Sequence, residues 1–239
     1  MNKKKTLKTI LLTILVFLIA LAGTAFTIIH AVLYPDVQIT GNGTKKVLCI
    51  GDSITYGQGV LTTRDTSTYP VILAELLGDE YQTYNFGLSN RTLLFDGNMP
   101  YIKEDFAKES LAIDADIVII MLGTNDTKPM NWNAAQYEKD YITFVQSYQN
   151  MNNEPEIYLM LPPRVFLKED DSGNCNNTIL TTEAIPAITR IAKATGVKII
   201  DLYAVTETHP EWFPDDLHPN ADGNRAIAET IYNALSTND

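Results

Sequence analysis

Two short blocks near opposite ends of one domain carry the residue types that make an alcohol nucleophilic. Gly51-Asp52-Ser53-Ile54-Thr55 ends an apolar run near the start, and Asp215-Asp216-Leu217-His218-Pro219 sits just before the last predicted helix. A serine hydroxyl is inert at neutral pH until a base takes its proton. Histidines ordinarily titrate at about 6.5, so an imidazole can accept that proton and return it to a leaving group. Ser53 is thus the candidate nucleophile and His218 the candidate general base. Asp215 and Asp216 compete to orient the imidazole and stabilise its charged form. Each block alone has a plainer reading, since Gly-Asp-Ser also caps helices and His-Pro is also a surface loop.

Two further blocks, Asn85-Phe86-Gly87 and Gly123-Thr124-Asn125-Asp126, each end an apolar run of their own. The tetrahedral intermediate of acyl transfer bears a full negative charge on oxygen, and each preorganised donor aimed at it is worth about 3–4 kcal/mol. Candidate donors are the Ser53 backbone N–H, Gly87, where the backbone can approach closely, and the Asn125 side-chain amide. Asp52 and Asp126 read as structural carboxylates that bond loop backbone.

Strand-length apolar runs alternate with amphipathic segments of helix length. Val47–Ile50, Tyr81–Phe86, Ile117–Leu122, Ile157–Leu161 and Val197–Leu202 read as strands. Tyr69–Leu77, Ala134–Met151, Ile185–Thr195 and a closing helix from a cap at Asn220 to about Leu235 read as helices. Uniformly apolar, β-branched strands alternating with helices mean a parallel sheet covered on both faces. The expected fold is an α/β, flavodoxin-like three-layer α/β/α sandwich with a five-stranded parallel sheet. The polar blocks follow strand ends directly, and ligands of open α/β sheets bind outside the carboxyl ends of the strands. Residues distant in sequence therefore converge on one rim.

The four blocks, in this order, resemble the SGNH (GDSL) hydrolase family across nearly the whole domain. The resemblance implies a serine esterase working through an acyl-enzyme, with no metal and no organic cofactor. Its Asp-x-x-His-Pro pattern selects Asp215 over Asp216. One departure stands out: the second block commonly continues Gly-x-Ser-Gly, whereas here it is Gly87-Leu88-Ser89-Asn90. Asn tolerates the left-handed backbone best among non-glycine residues, so the turn can survive, with substrate access near Asn90 altered. The runs Arg91-Thr92-Leu93-Leu94, Asn131-Trp132 and Leu161-Pro162-Pro163 are similar to the carbohydrate (sialate) O-acetylesterase-like branch. That similarity implies removal of acetyl groups from sugar hydroxyls. Asn90, Arg91 and Trp132 are candidate substrate contacts, against the plainer expectation that Trp132 packs over its loop and Arg91 pairs with a nearby acid. A lysophospholipase or thioesterase, an O-acetyltransferase acting on cell-wall glycan, and a non-catalytic glycan-binding domain are the alternatives.

The chain has 239 residues, 45% hydrophobic, with a formal net charge of −11. That suits one sizeable core and argues against nucleic acid, which wants a basic stripe. Lys3, Lys4, Lys5 and Lys8 precede an uncharged stretch from Thr9 to Tyr34, long enough for the roughly 20 residues of a membrane span. Residues 1–34 thus read as a signal-anchor with the N-terminus in the cytoplasm, 35–45 as a linker, and 46–239 as the hydrolase domain outside it. Cleavage at Gly23-Thr24-Ala25, giving a secreted protein, is the alternative. Cys49 reads as a buried inert thiol, and the three histidines leave little material for a zinc site. The expected partners are a small-molecule or glycan ester and the membrane.

Overall fold

The structure, a computed structural model, describes residues 3–168 and 173–237. It divides into two compact units, Met1–Asp36 and Val37–Asp239. The first unit is a single long helix, α1 (Lys3–Leu33). Its window Ile10–Thr27 has a mean hydropathy of 2.5, and the described side chains of that stretch are exposed.

The second unit follows in chain order as β1 (Gln38–Gly41), β2 (Lys45–Gly51), α2 (Ser53–Tyr56), α3 (Arg64–Ser67), α4 (Tyr69–Leu77), β3 (Tyr81–Gly87), α5 (Asp105–Leu111) and β4 (Ile117–Met121). It continues with α6 (Ala134–Gln149), β5 (Glu156–Leu161), α7 (Asn177–Ile179), α8 (Ile185–Thr195), β6 (Lys198–Asp201), α9 (Leu202–Thr206) and α10 (Ala221–Ser236). One six-stranded sheet runs β1-β3-β2-β4-β5-β6. The five strands from β2 to β6 are mutually parallel, in the 2-1-3-4-5 order of flavodoxin-like folds.

Alternation along each strand divides the core between the two faces. Leu48 and Ile50 point into one apolar layer with Val118, Ile120, Tyr141 and Ile188, which brings in α6 and α8. Val47 and Cys49 point into the other with Ile119, Ile72, Leu73 and Ile231, which brings in α4 and α10. Burial on both faces is why these strands are apolar throughout.

The sixth strand corrects the sequence expectation of five. Residues 35–45, expected as a linker, supply β1, which pairs antiparallel with β3 at the sheet edge. Gly41, Asn42 and Gly43 do not loosen this stretch; they let it pass close under the start of β3. A Cβ at Gly43 would lie 2.1 Å from the Glu80 carbonyl carbon, so only glycine fits the crossing.

Candidate active site

Segments that follow the ends of β2, β3 and β4 meet the loop before α10 at the site. After β2, Asp52 caps α2 by accepting a hydrogen bond on Oδ1 from the Ile54 N–H at 3.0 Å. That cap fixes Ser53 as the first residue of α2. On the far side of the domain's sequence, Asn220 caps α10 through the Gly223 N–H at 3.0 Å. Asn224, fully buried in α10, donates to the Pro219 carbonyl at 2.8 Å and accepts from the Tyr69 N–H at 2.9 Å. The loop from 215 to 219 is thereby tied to both α10 and α4.

These ties bring Ser53, His218 and Asp215 into line. Ser53 Oγ lies 2.9 Å from His218 Nε2, and His218 Nδ1 lies 2.7 Å from Asp215 Oδ2. Asp215 Oδ1 also accepts from the backbone N–H groups of His218 at 2.7 Å and Leu217 at 3.1 Å. A carboxylate facing Nδ1 assigns the proton there and leaves Nε2 as the acceptor for the serine hydroxyl. Partial burial pushes the Asp215 carboxyl up, but its hydrogen bonds to His218 and Leu217 and the imidazolium charge hold it below its ordinary value. Asp216 takes no part in this line. It adopts a left-handed backbone (φ 64°), and its carbonyl accepts from the Phe166 N–H at 2.9 Å.

The Asn125 amide reaches the same site from the end of β4. Its Nδ2 donates to Asp52 Oδ2 at 3.3 Å and to the Arg91 carbonyl at 3.2 Å, both longer than the usual 2.9–3.0 Å or so. Cys175 Sγ lies 3.9 Å from Asn125 Oδ1, which places that thiol against the amide. Asp126 spans to the second block, accepting from the Leu93 N–H at 2.9 Å and the Leu94 N–H at 2.8 Å. Both acids are buried. Burial raises the Asp52 carboxyl to about 6 against the opposing Ile54 N–H and nearby positive charge. Burial raises Asp126 to about 7, with the Asp52 charge adding to the rise.

The Gly87 expectation needs correcting, and for Arg91 and Trp132 the plainer of the two expectations holds. The Gly87 N–H donates to Asn85 Oδ1 at 2.9 Å and is occupied there. Glycine is required at 87 for packing instead, because a Cβ would sit 2.1 Å from the Tyr56 nitrogen. Arg91 is fully buried rather than on the rim. Its Nε donates to Glu104 Oε1 at 3.1 Å and its guanidinium to the Ser89 carbonyl at 2.8 Å. Trp132 donates from its indole N–H to Glu183 at 2.7 Å and packs on Tyr137, away from Ser53's hydrogen-bonded line. Asn90, in contrast, is exposed and left-handed (φ 67°), as its place in the block suggests. Sequence reasoning missed the role of Asn85, which heads the second block but acts through its side-chain rotamer, and missed Glu104 and Asn224, which lie in no block and meet their partners only in the folded chain. Among the described residues, no group of three or more His, Cys, Asp or Glu side chains is arranged to hold a metal ion.

Comparison with known proteins places this arrangement. Over 209 residues the chain is 35% identical to an acetylxylan esterase of Xylanibacter ruminicola. The match covers 80% of this chain but 43% of that relative, so the chain spans less than half of the relative's length. Est24, a carbohydrate acetylesterase from Sinorhizobium meliloti, superposes with a TM-score of 0.64 at 21% identity, covering 82% of this chain and all of that one (100%). The acetyl xylan esterase AlAXEase gives a TM-score of 0.65 at 24% identity, over 80% of this chain and 99% of the other. At these identities the two structures speak for the fold alone. Residues 49–226, from the second layer of β2 to the first turns of α10, match the GDSL-like lipase/acylhydrolase family, to which this chain belongs.

Proposed function

We propose that this chain is a serine esterase that removes acetyl groups from the hydroxyls of a carbohydrate. The observation that carries the reading is the hydrogen-bonded line from Asp215 through His218 to Ser53 Oγ. In this reading Ser53 Oγ attacks the acetyl carbonyl carbon as its proton passes to His218 Nε2. The tetrahedral intermediate collapses, and the imidazolium returns that proton to the departing sugar oxygen. Water then gives a proton to His218, attacks the acetyl-Ser53 ester, and releases acetate with the serine hydroxyl restored. Asp215 holds the imidazole's tautomer and stabilises its charged form in both halves.

The developing oxyanion is met by the Ser53 N–H, the Asn125 amide and a third donor from the second block. With the Gly87 N–H occupied by Asn85, that third donor is the Asn90 N–H, on the exposed, left-handed turn of the block. Asn125 redirects one of its two long hydrogen bonds to take part. Support for an acetyl ester on a sugar comes from the acetylxylan esterase relative. The apolar helix α1, with lysines in its first turns, supports a signal-anchor that keeps the remainder outside the cytoplasm, or releases it if cleaved.

The test is acetate release by the purified chain and its Ser53→Ala variant. The panel pairs acetylated xylan, O-acetylated sialic acid and peptidoglycan with aryl esters from acetyl to decanoyl. The expected result is acetate from a glycan, activity that collapses with longer acyl chains, and loss of at least about a thousandfold in the variant. Preference for long chains would move the protein to the lipid-directed class. Undiminished turnover by Ser53→Ala would remove Ser53 from the chemistry.

A further inference from the structure

Arg91 is a cation with no exposed surface, one residue beyond Asn90. Its guanidinium donates to the Ser89 carbonyl at 2.8 Å, and its Nε donates to Glu104 Oε1 at 3.1 Å. Glu104 lies just before α5, thirteen residues along the chain, and its side chain is 21% exposed. The Ser89 hydroxyl meets Gln58 Oε1 at 3.3 Å, beyond the end of α2, and the Arg91 carbonyl accepts the Asn125 amide at 3.2 Å. The segment from 89 to 91 is thus suspended between Gln58, beyond α2's end, and Asn125.

A peptide unit is planar and trans, so its carbonyl and N–H point in opposite directions. Anchoring the Ser89 carbonyl on a buried guanidinium turns the Asn90 N–H the other way, out of the core. The turn around this peptide is closed locally only by a long hydrogen bond, from the Arg91 N–H to the Leu88 carbonyl at 3.4 Å, with Asn90 at its left-handed position (φ 67°). The same residue's backbone carbonyl accepts the Asn125 amide. We infer that Arg91, itself held by Glu104, is a positioning residue that aims two oxyanion donors, the Asn90 N–H and the Asn125 amide. This role rests on the esterase reading, and it acts through the donors rather than on the substrate. An arginine suits it because its planar fork meets a carbonyl and a carboxylate at once, whereas a lysine ammonium lacks that fixed geometry.

The experiment compares the full chain with Arg91→Lys and Glu104→Gln on 4-nitrophenyl acetate. Reactive sites are counted by the end-point of fluorophosphonate labelling, so that kcat is expressed per competent site. Affinity is measured for a boronic acid, whose serine adduct places an oxygen where the oxyanion forms. Arg91→Lys is expected to lower kcat per site by about 10²–10³, the usual loss for one oxyanion donor, with KM within about twofold. Boronate affinity is expected to fall in parallel. Glu104→Gln, which keeps an acceptor for Nε, is expected to show the same pattern at about a tenth of that size. A purely structural role predicts fewer labelled sites and a lower melting temperature with kcat per site and boronate affinity unchanged, and that result overturns the inference. If Arg91→Lys does not fold, Glu104→Gln decides between the two by the same readouts. A wild-type chain that releases no nitrophenol overturns the esterase reading itself, and this role with it.

Discussion

At the scale of single residues, the site combines a conventional hydrogen-bonded line with two acids held where charge is disfavoured. Asp126 is fully buried and accepts two backbone N–H bonds from Leu93 and Leu94. Its carboxyl is raised to about 7 by burial, so the folded state keeps the proton that the unfolded chain releases near 4. Its contribution to stability is therefore complete below pH 4 and is lost as pH rises through about 7. Asp126→Asn removes that dependence, but its amide group can accept only one of the two N–H bonds. The variant is expected to be less stable than wild type at pH 5 by about 1–3 kcal/mol, the cost of one stranded buried donor. The gap should narrow as pH is raised to 8. Urea midpoints measured from pH 4 to 8 check this, and a gap independent of pH would sink it. The grouping of Ser53, His218 and Asp215 was legible from sequence because each side chain stands within a short block of recognisable chemistry. For Arg91 and Trp132 the sequence left a rim contact and a packing or ion-pair role open, and the structure shows the second, while the Gly87 N–H proves to be taken within its own block. Arg91 is settled by Glu104, Trp132 by Glu183 fifty-one residues away, and the Gly87 N–H by the rotamer of Asn85.

At the scale of elements, the sheet positions the serine and α10 positions the base. Asn224 joins the two by bridging the Tyr69 N–H and the Pro219 carbonyl. Asn224→Ala strands both groups in a fully buried place, so the expected loss of stability is about 2–4 kcal/mol. Because Pro219 adjoins His218, kcat should fall as well, with less change in KM. Chemical denaturation and steady-state rates on one preparation test this; a loss below about 1 kcal/mol would mean the bridge is dispensable. The five parallel strands and the helices α4, α6, α8 and α10 were readable because their apolar runs are long and regular. The strand β1 was not. Its four residues end at Gly41 and show no apolar run, and their place in the sheet comes from pairing with β3. The short helix α5 was missed for a similar reason, since seven residues with Lys108 and Glu109 exposed give a weak pattern.

At the scale of the whole molecule, the chain divides into an apolar helix and a second compact unit, Val37–Asp239. Residues 37–239 are expected to remain in solution without detergent and to keep the full chain's kcat on 4-nitrophenyl acetate. Centrifugation followed by rate measurement checks both, and a unit that aggregates or loses turnover would show that the domain begins earlier. Within that unit, 165 residues separate Ser53 from the imidazole that meets it. A chain still being made, or crossing a membrane from its N-terminus, displays the serine long before the histidine loop and α10 exist to complete it. In the esterase reading, hydrolytic competence therefore comes only once the histidine loop has joined the serine, and shorter partial products are harmless to the esters they pass on the way.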